Sequence, residues 1–186
     1  SIEIPAGVQI FDDYAFCECT ALSNVTLGEG LKTIGSYAFY NCSALTELGL
    51  PDGLETIESD AFYGTSIGKL ELPDTVTAAS LRGLEDTLTY IRWSAGIPEI
   101  STSVFKNHEK LETVIIPEGV TTISYDGYSG YGVFYNCDSL KEVSLPASLE
   151  TIGSYAFYGC DGLESIEIPA GVQIIDDYAF YECTAL

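Results

Sequence analysis

Apolar residues come in pairs separated by one outward position, and the pairs return about every 23 residues: Ile2/Ile4, Val25/Leu27, Leu48/Leu50, Leu70/Leu72, Ile91/Trp93, Val114/Ile116, Val143/Leu145 and Ile166/Ile168. Alternation over so short a run predicts a strand with one buried face. A proline follows six of the pairs (Pro5, Pro51, Pro73, Pro117, Pro146 and Pro169) and ends the ladder, because it has no N–H to donate. Apolar residues three apart come next, such as Leu31/Ile34 and Leu149/Ile152. Ala-Phe pairs then stand at 38–39, 61–62, 156–157 and 179–180. Cys19, Cys42, Cys137, Cys160 and Cys183 each precede by three residues the leucine that closes a unit. The segment 165–186 repeats 1–22 at every position except Phe11, now Ile175, and Cys17, now Tyr181.

This period is that of a stacked solenoid. The units run over 1–22, 23–45, 46–67, 68–88, 89–111, 112–140, 141–163 and 164–186. A single array over 1–186 is expected, not two globular domains, with each unit buried against its neighbours. Eight parallel strands would build a sheet roughly 35 Å long. The alanine lets coils approach, the phenylalanine fills the interior, and the cysteines form an internal ladder. Both ends fall at matching repeat phases without a polar terminal unit, so the chain reads as an excised stretch of a longer protein.

The order of strand, Ile-Pro or Leu-Pro, Ala-Phe, Cys and Leu resembles the BspA-like leucine-rich repeats, also called the Treponema pallidum type. The resemblance covers essentially the whole chain and is loosest in the fourth and fifth units, where Leu84 replaces the phenylalanine and His108 the cysteine. It implies a leucine-rich repeat solenoid: a curved right-handed superhelix of about eight coils. A parallel β-sheet would line its concave face, and short turns or 3-10 segments its convex face. It also implies a secreted or surface-attached protein, often bacterial, whose relatives are associated with adhesion to host proteins or other cells.

A net charge of −21 and a pI near 4.1 argue against a basic footprint for nucleic acid or anionic lipid. The charge is uneven. Residues 69–110 carry five basic side chains (Lys69, Arg82, Arg92, Lys106, Lys110) against six acids, which leaves about −20 on the flanks. No apolar run is long enough to span a membrane.

Candidate chemistry is sparse. Equivalent cysteines on adjacent coils point the same way, whereas a disulfide needs facing Cβ vectors, so the thiols read as reduced and buried. Cys17 occupies a position that is tyrosine elsewhere and is expected to be partly exposed. His108 falls in the cysteine ladder and reads as a core histidine; a row of single thiols does not supply tetrahedral zinc ligation. The pairs Asp12–Asp13 and Asp176–Asp177 fit solvated turns better than a calcium loop. No cofactor, metal or catalytic constellation is expected. Tyrosines before the alanine (Tyr14, Tyr37, Tyr155, Tyr178) and after the phenylalanine read as packing between coils, with hydroxyls reaching water.

The outward strand rows contain Lys69, Tyr90, Arg92 and Ile115 near the centre of the chain. Tyrosine and arginine are enriched in binding hot spots. The sixth unit carries an insertion, SYDGYSGYG at 124–132, whose Tyr125, Tyr128 and Tyr131 stand among glycine and serine, the vocabulary of antibody contact loops. These seven residues are the expected partner-binding set. The function expected is a noncatalytic extracellular or cell-surface module for protein interaction or adhesion, whose partner is a host extracellular-matrix or cell-surface protein. The alternatives are a carbohydrate-binding or targeting appendage of a larger secreted enzyme and a structural spacer. The similar first and last units also raise end-to-end self-association.

Overall fold

Short parallel strands recur at the repeat period, and most coils contribute to two ladders. The computed structural model describes every residue except 76, 77, 80, 95–98, 101–103 and 125–129, and the side chains of Ala78 and Ala79. The described residues form two compact units, Ser1–Leu88 and Thr89–Leu186, which meet at a repeat boundary. The first holds β1 (Ile2–Glu3), β2 (Ile10–Phe11), β3 (Val25–Thr26), β4 (Thr33–Ile34), β5 (Thr56–Ile57), β6 (Lys69–Leu72) and β7 (Ala78–Ala79). The second holds β8 (Tyr90–Trp93), β9 (Glu99–Ile100), β10 (Thr113–Ile115), β11 (Thr122–Ile123), β12 (Glu142–Ser144), β13 (Thr151–Ile152) and β14 (Ile174–Ile175). No helix of any kind occurs among the described residues.

The expected ladder is present. In the first unit β1 pairs with β3, matching Ile2 to Val25. In the second, β8, β10 and β12 align Ile91, Val114 and Val143. The inward residues Leu70, Ile91 and Val114 are buried, and Trp93 packs edge-on against Phe105 at 5.3 Å. Two expected strands are not formed. Around Leu48 and Leu50 only Glu47 bridges to Lys69; Gly49 between them offers no side chain to the pleat. Ile166 and Ile168 stay half-buried outside any strand, and Glu167, Pro169 and Ala170 line an open groove with 142–145.

A second ladder replaces part of the turns expected on the other side of the coil. It runs β2–β4–β5–β7 in the first unit and β9–β11–β13–β14 in the second, all parallel. Its inward residues Ile34, Ile57, Ile123 and Ile152 are buried. The proline carbonyls of Pro5, Pro51, Pro117, Pro146 and Pro169 each accept a hydrogen bond from the N–H three residues on, which closes the bend between the two ladders.

The remaining segment satisfies its backbone by alternation. In one coil Ala38, Tyr40 and Cys42 donate backward within the coil to Gly35, Tyr37 and Phe39, while Tyr37, Phe39 and Asn41 donate to Ser59, Ala61 and Tyr63 of the next. The same pattern recurs from Tyr155 to Cys160. Few buried donors are left to desolvation. Five coils carry two left-handed residues each, four positions apart. Tyr14, Tyr37, Asp60, Tyr155 and Tyr178 take φ of 56–62°, and Glu18, Asn41, Asn107, Asn136 and Glu182 take 55–61°. Gly64 and Gly159 fill the second position at φ 74° and 68°. Asparagine and glycine tolerate this region; a side chain without a local polar group costs about 1–2 kcal/mol there. Asn136→Ala is therefore expected to lose about 1 kcal/mol in urea unfolding while Asn136→Gly stays near the parent, and equal losses would contradict the conformational account.

Stacked phenylalanines fill the interior, Phe16–Phe39–Phe62 in the first unit and Phe105–Phe134–Phe157–Phe180 in the second, with centroids 5.3–6.0 Å apart. Leu84, at the loose fourth repeat, is also fully buried. The thiols are more than apolar filling. Sγ of Cys42, Cys137, Cys160 and Cys183 donates to the carbonyl of Phe16, Phe105, Phe134 and Phe157 in the preceding coil, at 3.0–3.2 Å. Thr65 holds the same place in its coil and donates to Phe62 O at 2.8 Å. Burial pushes the Cys42 thiol from 9.0 up to about 11, and the Cys137 and Cys160 thiols also upward.

Candidate functional site

On the β8–β10–β12 ladder the residues between the buried ones face outward, and the register lays them side by side. Thr113 stands between Tyr90 and Glu142, and Ile115 between Arg92 and Ser144. Arg92, Glu142 and Ser144 are exposed, while Tyr90, Thr113 and Ile115 are half-buried. Three of the expected residues, Tyr90, Arg92 and Ile115, thus occupy one patch of the second unit. Its centre is apolar, with an aromatic ring and a guanidinium beside it. Lys69 is exposed on β6 of the first unit, next to its bridge with Glu47.

The patch continues past Glu142 into the open groove, about 560 Å³, lined by Glu118, Glu142, Val143, Ser144, Leu145, Ala147, Glu167, Pro169 and Ala170. Glu118 is already engaged: its carboxylate accepts from the N–H groups of Ala147 and Ser148 at 3.0 and 3.3 Å. The outward strand rows already contained Glu142 and Glu167, but the absence of a strand at 166–168 left no trace in the sequence.

Of the insertion, Tyr125 and Tyr128 lie outside the described residues. Tyr131 is half-buried, with Lys106 Nζ 3.1 Å from its ring centroid and Tyr135 edge-on at 4.9 Å. This fixes the downstream base of the insertion against the tyrosine rows. Those rows stack as expected: Tyr14 on Tyr37, Tyr40 on Tyr63, Tyr135 on Tyr158, Tyr158 on Tyr181, and Tyr155 on Tyr178, at 4.5–5.4 Å. Their hydroxyls meet carboxylates. A hydrogen bond to Glu182 is the chief reason the Tyr158 hydroxyl is pushed from 10.0 up to about 12, and the charge of Asp60 raises Tyr37.

Cys42 and Tyr158 both keep their protons longer in the fold than in the unfolded chain. Above pH 9 the unfolded chain therefore binds fewer protons than the native one, and stability falls with rising pH. The contribution is complete below pH 9, then declines as the pH passes through about 11 for Cys42 and about 12 for Tyr158. Urea midpoints that drop steadily between pH 9 and 11 are expected; a flat profile would contradict the buried-thiol assignment.

The other candidates are structural. His108 is buried and edge-on to Phe105 at 5.7 Å. Cys17 is half-exposed, and all six thiols are free. Asp12 and Asp176 each accept the next residue's N–H, and Asp13 accepts Ser36 N–H from the following coil, so both pairs act in turns. Among the described residues no three His, Cys, Asp or Glu side chains converge to hold a metal, and no helix is long and apolar enough to cross a membrane.

The family description "BspA type Leucine rich repeat region" matches the chain in six copies, over residues 1–81 and 128–186. A comparison with curated proteins finds no match. Among solved structures, a leucine-rich repeat protein from Eubacterium ventriosum superposes with a TM-score of 0.67 at 20% identity, over 97% of this chain and 58% of that one. One from Bacteroides ovatus gives 0.58 at 24% identity, over 100% and 59%. The T. pallidum leucine-rich repeat protein gives 0.50 at 27% identity, over 87% and 63%. The chain thus spans 58–63% of the length of these structures.

Proposed function

Because the chain belongs to the BspA-type leucine-rich repeat family, whose repeat arrays generally bind proteins, we propose that it is a noncatalytic protein-interaction module that acts outside the cell in adhesion, on a host extracellular-matrix or cell-surface protein. The observation that carries this reading is the outward patch of β8 and β10. Tyr90, Arg92 and Ile115 lie in adjacent register on strands whose inward residues Ile91 and Val114 already fill the core. The outward side chains thus lie on the face of the strands away from that core. An aromatic ring, an apolar centre and a guanidinium in one patch supply the anchor types that dominate binding energy. Lys69 adds a separate cationic contact on the first unit, and Tyr125, Tyr128 and Tyr131 add the insertion.

The test passes purified extracellular-matrix glycoproteins over the immobilised chain. Retention that weakens in Arg92→Ala and Tyr90→Ala supports the strand face, and further loss on changing the three insertion tyrosines to serine adds the loop. Unchanged retention in all variants, or none by the parent chain, would overturn the proposal.

A further inference from the structure

We propose that the tyrosine-bearing turn face of the second unit, around Tyr155, Tyr158, Tyr178, Tyr181 and Glu182, docks a lysine- or arginine-rich segment of a partner protein. This surface is separate from the strand patch and does not depend on it.

Stacking sets what the face can offer. Tyr158 lies between Tyr135 and Tyr181, at 4.5 and 5.4 Å, and Tyr155 stacks on Tyr178 at 5.2 Å. Neighbouring rings cover both flat faces of Tyr158, so its edge and hydroxyl remain for a partner. The Tyr158 hydroxyl bonds to the Glu182 carboxylate and meets Tyr135 as well, so its proton is used, while a carboxylate has further acceptor sites. The surface is rich in acceptors and poor in donors.

Charge points the same way. Asp176, Asp177 and Glu182 flank Tyr178 and Tyr181, and the chain from residue 142 to 186 holds no lysine or arginine. Nucleic acid and anionic lipid are repelled by such a face, whereas ammonium and guanidinium groups bring donors and opposite charge together. The molecule itself shows the arrangement once, and a simpler tyrosine–cation contact besides. In the first unit the Tyr37 hydroxyl bonds to Asp60, and Arg82 Nε stands 3.5 Å from that same carboxylate. In the second, Lys106 covers the Tyr131 ring, from the row that holds tyrosine in Tyr135, Tyr158 and Tyr181.

The test measures binding of a short fluorescent peptide of alternating arginine and glycine by anisotropy, with a serine-glycine peptide and a neutral linear oligosaccharide as other probes. Tyr158→Phe combined with Glu182→Gln is expected to weaken the arginine peptide by about tenfold, the scale of one charge-assisted contact. Glu29→Gln removes the same charge from the first unit and should leave affinity within about twofold. Asp177→Asn, an exposed change on the same face, is expected to weaken binding by about threefold and serves if the double variant loses its thermal transition. Equal losses in Glu182→Gln and Glu29→Gln would reduce the effect to attraction by net charge and overturn the proposal. So would absence of peptide binding, or oligosaccharide binding in its place.

Discussion

Phe134→Ala is expected to lower the stability of the second unit by about 3–5 kcal/mol, the usual cost of removing a fully buried phenylalanine. Phe134 is wholly inaccessible and stacks between Phe105 and Phe157 at 5.5 and 5.3 Å. Its N–H donates to Ala156 O, and its carbonyl accepts Cys160 Sγ at 3.2 Å. Truncation opens a gap that two neighbouring coils can fill only by moving closer, and the backbone bonds between them already fix their spacing. In an array each coil leans on its neighbours, so the loss falls hardest on the coils that carry Phe105 and Phe157. Phe134→Leu should recover most of it, within about 1.5 kcal/mol of the parent, since Leu84 fills this role in the fourth repeat and is fully buried. Urea unfolding followed by far-ultraviolet circular dichroism measures both. A loss below about 1 kcal/mol for Phe134→Ala would mean that the ring column is dispensable.

The second large effect concerns binding without folding. Tyr90→Ala combined with Arg92→Ala is expected to reduce affinity for a retained matrix protein by at least about tenfold, as truncation of interface anchors does. The thermal transition should stay nearly unchanged. The separation follows from strand alternation: Ile91 and Trp93 point inward and are buried, whereas Tyr90 and Arg92 belong to the outward rows. Ile115→Ser, adjacent in register to Arg92, should add to the effect, while Ser144→Ala at the edge of the same row should not. A double variant that loses its transition would assign these side chains to the fold; one that keeps both transition and affinity would move the contact elsewhere.

The repeat period, most inward strand residues, the phenylalanine column and most of the cysteine row were legible, because each position recurs with the same residue type in most units; Ile2 and Cys19, expected inside, are exposed. The rung formed by Thr33–Ile34 and its relatives was not. A two-residue strand has one outward and one inward residue, too short a run for alternation to show. The left-handed tyrosines were also hidden, since tyrosine does not favour that region; the signal lay four residues on, where Asn41, Asn136, Gly64 and Gly159 alternate at the second left-handed position. At the candidate site the phase of the repeat was enough to bring Tyr90, Arg92 and Ile115 together. It was not enough for Tyr131, whose partners Lys106 and Tyr135 depend on how the insertion rejoins the coil.

Hydroxyl-radical footprinting of the chain, alone and saturated with a retained matrix protein, tests the strand-face claim most directly because it reads side-chain exposure residue by residue. Protection centred on Tyr90 and Ile115, with the buried Phe134 and Phe157 silent in both states, is the result expected. Protection that spares β8 and β10 and falls on another surface would contradict it.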